Sequence, residues 1–100
     1  MSRIGIRVSP SLSKKMSKDL EKGFILGYET ELGQTLENIF DRLDNDDHET
    51  WRIVWNSQTG KLQELIIIDI NGTGMTESEI LQRPLKDGDM IDIHMIFSAG

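Results

Sequence analysis

The group in this 100-residue sequence whose position suggests chemistry is the carboxylate of Gly100. It follows Phe97-Ser98-Ala99 at the end of an alternating run, Met90-Ile91-Asp92-Ile93-His94-Met95-Ile96-Phe97, which reads as a strand. Glycine has no Cβ, so a partner's backbone can approach it from either side. A strand running straight into small residues is expected to leave that carboxylate beyond the folded body, within reach of a partner. The alternative is an ordinary frayed end.

Other candidate chemistry is sparse. The sequence has no cysteine and two histidines, so it offers no thiol nucleophile, no thiolate metal site and no disulfide. His94 alternates with apolar residues and shares a strand face with Asp92, which fits an outward ring making ordinary contacts. His48 sits in an acidic run and is expected to be solvated. Asp44, Asp46, His48 and Glu49 could suggest a metal loop. A calcium loop of the EF-hand type needs glycine at its sixth position and glutamate at its twelfth. Counted from Asp44, those places hold Glu49 and Trp55, so the run reads as the acidic end of a helix. Gly72 and Gly74 lack the following helix and lysine of a phosphate loop. No cofactor and no metal is expected. Trp51 and Trp55 share one face if their segment is a strand; they are either core or, if exposed, a partner site.

Composition narrows the class. Apolar residues make up 37% and charged residues 28%, which suits one soluble globular domain. The longest apolar run, Leu65-Ile66-Ile67-Ile68, is stopped by Asp69, far short of a membrane span. No signal-peptide pattern opens the chain, so a cytoplasmic location is expected. The net charge of −6 is unevenly placed. Residues 1–22 hold six Lys/Arg (Arg3, Arg7, Lys14, Lys15, Lys18, Lys22) against two acids, and the remainder holds five against fifteen. An acidic majority argues against nucleic acid, which is bound by clustered cations. The lysines of 14–22 read as a solvated helix face.

The elements that must position Gly100 follow from periodicity. Ile4, Ile6 and Val8 alternate as an opening strand. Leu12, Met16 and Leu20 recur at helical spacing, with Ser11 or Ser13 as cap and Gly23 as stop. Phe24 to Leu32 reads as a second strand, with Phe24, Leu26, Tyr28 and Leu32 on one parity. Leu36, Ile39, Phe40 and Leu43 form a single apolar stripe, the clearest helix, spanning 35–43 and ending in Asp44-Asn45-Asp46-Asp47. Trp51 to Trp55 and Leu62 to Ile70 read as strands around the turn 56–60. Asn71-Gly72 is turn material, and Thr76-Glu77-Ser78-Glu79 has capping-box spacing before Ile80-Leu81 and the Pro84 break. Lys86-Asp87-Gly88-Asp89 turns into the last strand, which is expected to lie centrally because both its faces carry apolar residues.

This order resembles the ubiquitin-like β-grasp sulfur carriers, the small subunit of molybdopterin synthase and the thiamin-pathway carrier. The residues that carry the resemblance are Ile4-Gly5-Ile6-Arg7-Val8, Thr35 to Leu43, Ile68-Asp69-Ile70-Asn71-Gly72, and above all Pro84-Leu85-Lys86-Asp87-Gly88-Asp89 with its strand and short tail. The fold it implies is α+β, a mixed sheet of about five strands with one main helix across it, occupying residues 1–100 with a tail at 98–100. The resemblance further implies a carrier that is not itself an enzyme. A ubiquitin-activator-like enzyme would adenylate Gly100, sulfur would convert it to a thiocarboxylate, and a larger synthase subunit would receive it. Phe97, Ser98 and Ala99 would be the arm inserted into the partner. The family ends in Gly-Gly, whereas this sequence ends in Ala99-Gly100, and one methyl in a fitted channel changes discrimination by about 1–3 kcal/mol. A second expectation is a ubiquitin-like interaction module whose end is inert, and a third is a modifier joined to lysines through Gly100.

Overall fold

The computed structural model describes residues 2–16 and 23–96. Its elements run β1 (Ser2–Val8), α1 (Pro10–Met16), β2 (Phe24–Thr30), α2 (Leu36–Asp46), α3 (His48–Trp51), β3 (Trp55–Asn56), β4 (Lys61–Leu62), β5 (Ile66–Ile70), α4 (Glu77–Gln82) and β6 (Met90–Met95). Four strands form one mixed sheet in the order β2-β1-β6-β5, and β3 and β4 make a separate short hairpin. β1 pairs antiparallel with β2 and parallel with β6, while β5 pairs antiparallel with β6. The last strand is therefore central, as expected, although only its inner face, Ile91 and Ile93, is buried; His94 and Ile96 on the other are exposed.

Alternation sets the inner face. Ile4, Ile6 and Val8 of β1, Ile66, Ile68 and Ile70 of β5, and Ile91 and Ile93 of β6 are all buried. Across them lies α2, burying Leu36, Ile39, Phe40 and Leu43, the stripe read from the sequence. A fully buried side chain of this size contributes about 1.5–3 kcal/mol, so this sandwich dominates the stability. Thr35 caps α2 through a reciprocal box: its hydroxyl accepts from the Asn38 N–H, and the Asn38 amide oxygen accepts from the Thr35 N–H at 3.1 Å. Asparagine here takes the place usually held by Glu or Gln.

Several local readings are corrected. α2 runs on to Asp46, three residues past the expected end at Leu43. Asp44 is buried and meets the ring of the exposed His48, Nδ1 to Oδ1 at 3.1 Å. The acidic run thus continues the helix, and Asp47 then caps α3 by accepting from the Thr50 N–H at 3.3 Å. Trp51 consequently lies on a helical turn and not in a strand with Trp55. Both tryptophans are core: Trp55 packs on Phe40 with ring centroids 5.2 Å apart, and Trp51 sits 6.3 Å from the same ring. The Trp55 indole donates to Asp41 at 2.7 Å. α1 begins at Pro10, with the Ser13 N–H bonded to the Ser9 carbonyl at 2.9 Å, so neither Ser11 nor Ser13 caps it. Proline suits a first helical position because its missing N–H has no partner to lose. Leu20 lies outside the described residues. β2 ends at Thr30, which leaves Leu32 exposed in a turn rather than on the strand face with Tyr28. The expected strand 62–70 is split, because Leu65 adopts a positive φ of 70° between β4 and β5.

Candidate functional site: the end of the central strand and the outer sheet face

Residues 97–100, to which the sequence reading assigns the acyl carrier Gly100 and the arm Phe97, Ser98 and Ala99, lie outside the described residues. Their base is described, and it is tightly held. β6 is bonded on both sides up to its last residues: the Ser9 N–H donates to the Ile93 carbonyl at 3.1 Å, and the Ile96 N–H donates to the Leu65 carbonyl at 2.7 Å. Whatever follows Ile96 therefore starts from a fixed point in the middle of the sheet.

The start of β6 is fixed as firmly. Asp89 is buried just before it and accepts three hydrogen bonds: from Arg83 at 2.9 Å, from the Lys86 N–H at 2.8 Å and from the Asn71 side chain at 3.0 Å. The Asn71 amide oxygen in turn accepts from the Met90 N–H at 2.8 Å. Burial is the largest single influence on Asp89 and opposes its charge. The hydrogen bonds from Arg83, Lys86 and Asn71, with the Arg83 charge, together outweigh it and hold the carboxyl below its ordinary value. The Lys86 to Asp89 turn, with Gly88 at a φ of 86°, is thus a clamp on the strand that leads to the tail. Sequence reading placed the turn but missed Arg83 and Asn71 as its fasteners, since six and eighteen residues separate them from Asp89.

The helix-free face of the sheet surrounds the same strand end. The register aligns Ile25, Arg7, Asp92 and Asp69 in one row, and His94 and Ile67 in the next. Ile25, Ile67, Ile96 and Leu65 are exposed large apolar residues, and Arg7 pairs with Asp92, Nε to Oδ1 at 3.1 Å. Between Arg7, Pro10, Phe24, Ile25 and His94 lies a mostly apolar depression of about 460 Å³. His94 points outward here, as expected, and the one carboxylate sharing its row neighbourhood on β6, Asp92, is engaged by Arg7. Among the described residues, no group of three or more His, Asp or Glu side chains could hold a metal ion. No described helix is long and apolar enough to cross a membrane.

A four-stranded mixed sheet in this order, with a principal helix across one face, is an α+β fold of the ubiquitin-like β-grasp type. The fold is similar to that of SAMP1 from Haloferax volcanii in its crystal structure, with a TM-score of 0.72 over 99% of this chain and 100% of that one, at 15% identity. A crystal structure of H. volcanii small archaeal modifier protein 1 gives 0.69 over 97% and 100%, at 13% identity. No protein-family model matches the chain, and no curated protein matches it in sequence.

Proposed function

We propose that this ubiquitin-like protein is a small carrier activated at Gly100 by an adenylating enzyme. The observation that carries the reading is the central strand β6, clamped at its start by Asp89 and at its end by the Ile96–Leu65 bond, and leading directly to residues 97–100. In the proposed reaction a Gly100 carboxylate oxygen attacks the α-phosphorus of ATP and pyrophosphate leaves. A protein persulfide or sulfide then attacks the acyl-adenylate carbon and displaces AMP. After reductive release where a persulfide is the donor, Gly100 ends in a thiocarboxylate. The carrier supplies the acyl group and the fit; the activating enzyme supplies the chemistry, and a larger synthase subunit, in molybdopterin or a related cofactor synthesis, takes the sulfur. The exposed apolar side chains of Ile25, Ile67 and Ile96 on the outer face support docking of a partner there.

A second reading is favoured by the likeness in fold to a small archaeal modifier protein. In it the Gly100 acyl-adenylate passes through an enzyme thioester to a lysine, forming an isopeptide bond. One experiment separates the two. The full chain is incubated with its activating enzyme, ATP and a sulfur donor, and its intact mass is read. Gain of one sulfur in exchange for one oxygen supports carriage; a glycyl-lysine remnant from Gly100 on other proteins supports conjugation. Neither product with an active enzyme overturns both.

A further inference from the structure

The sheet has two edges, and they are treated differently. On β1 the Gly5 and Ser9 N–H groups donate to Asp89 and Ile93 beside β6, and the Arg3 carbonyl accepts from Gly88. Odd-numbered residues of β1 therefore turn toward β6 and even-numbered ones toward β2. By the alternation of an antiparallel pair, Tyr28, Leu26 and Phe24 bond to β1, while Ile25, Gly27 and Glu29 direct their N–H and C=O groups outward. All three are exposed, and no backbone partner among the described residues meets them. On the opposite edge, β5, the corresponding residues are Ile66, Ile68 and Ile70. There the Ile66 N–H is taken by the Gln63 carbonyl at 3.3 Å, the Ile70 carbonyl by the Thr73 N–H at 3.0 Å, and all three residues are buried.

Edge strands are normally blunted by lysine, proline, a bulge or a cover. β5 is covered. β2, a seven-residue strand, carries no lysine or proline and pairs with β1 without a break in register. Its inner row, Phe24, Leu26 and Tyr28, is half-exposed although it packs against the core, so apolar surface continues over the edge. Leu32, just beyond the strand, is 77% exposed. The same end is acidic: Glu29 is shared only loosely with Arg3 at 3.7 Å, both side chains being well solvated, and Glu31 forms no ion pair among the described residues.

We infer that the β2 edge is a strand-addition site for an extended segment of a partner protein, apolar at alternate positions and bearing Lys or Arg where it passes Glu29 and Glu31. The main-chain groups of Ile25, Gly27 and Glu29 give the pairing, and Phe24, Leu26 and Tyr28 receive the alternate side chains. Gly27 leaves the middle of the strand flat. A Cβ built there would meet the Arg3 guanidinium at 2.9 Å, so the arginine now lies over that position. This site does not use Gly100 and shares with the outer face only Ile25, through its main chain, so its failure would leave the carrier reading untouched.

The test is an amide NMR titration of the full chain with three blocked heptapeptides. The first alternates valine and threonine between terminal lysines, the second has glutamates in place of the lysines, and the third repeats the first with alternate amides N-methylated. The lysine peptide should slow exchange of the Ile25, Gly27 and Glu29 amides and leave Ile68 unchanged. The glutamate peptide should bind about two- to fivefold more weakly, the range of exposed ion pairs, and the N-methylated one about tenfold more weakly, as lost hydrogen bonds imply. Gly27→Pro, which removes an outward N–H without touching the β1 ladder, should abolish binding. Should it not fold, the exposed double change Glu29→Lys with Glu31→Lys should reverse the order of the two charged peptides. The inference is overturned if the three amides are already protected in the dilute free chain. It is equally overturned if protection appears with protein concentration alone (a second copy at the edge), if the peptides perturb only His94 and Ile67 or nothing, or if the charged peptides bind alike.

Discussion

Asp89 shows how one side chain can hold an element in place. Its carboxyl is held below the ordinary value, so the folded state binds its proton more weakly than the unfolded state does. The stabilisation is therefore complete above the usual aspartate value of about 3.9 and is lost as pH falls through the lower folded value. Asp89→Asn should destabilise the protein by about 2–3 kcal/mol near neutral pH, because it leaves the partly buried Arg83 without its anion. In denaturant titrations that difference should narrow steadily below about pH 3.9; a difference that is constant with pH would contradict the role given to the charge. Phe40 is the matching apolar case. It lies between Trp51 and Trp55 and is fully buried, so Phe40→Ala should cost about 3–5 kcal/mol and shift tryptophan emission to the red. At this scale the sequence was partly legible. Glycine and aspartate in Lys86 to Asp89 announced a turn, but nothing in residue type marks Arg83, Asn71 and Asp89 as mutual partners, since the fold alone brings them together.

Elements were readable where local pattern and tertiary packing agree. α2 announced itself through Leu36, Ile39, Phe40 and Leu43, and α4 through Thr76, whose hydroxyl donates to Glu79 at 2.8 Å. The cap of α2 is worth testing by itself: Thr35→Ala should lower stability by about 1 kcal/mol, with Thr35→Ser close to wild type in thermal melts. Reading failed where two patterns compete for the same residues. Trp51, Ile53 and Trp55 alternate as a strand would, yet Asp47 caps a helical turn first, and burial of Trp51 against Phe40 and Phe24 fixes it there. Asp44 to Asp46 looked like a helix end because such residues favour turns, but burial of Asp44 against His48 carries the helix through them. Which strands lie at the edges is likewise absent from any one segment. It follows from the order β2-β1-β6-β5, and with it the difference between the open β2 edge and the covered β5 edge.

Over the whole molecule, the fold was legible because the apolar stripe of one helix, two isoleucine-rich strands, the alternating Phe24 to Tyr28 strand and a two-sided final strand admit few arrangements. What remained illegible is how the surface is divided: one face under α2, the other carrying Ile25, Ile67 and Ile96 beside the strand end. That division makes a further prediction. Ile67→Glu places a charge on the outer face with no loss from the core, so melting should change little, while on the proposed function the apparent KM of the activating enzyme for this protein should rise severalfold. The central claim is that β6 presents residues 97–100 for activation at Gly100. Its most direct measure is ATP–pyrophosphate exchange by the cognate activating enzyme, with the wild-type chain and with Gly100 deleted. The account predicts exchange that saturates with the wild-type chain and falls to background on deletion. Equal exchange by both chains, or none by the wild type with an enzyme active on another carrier, would contradict it.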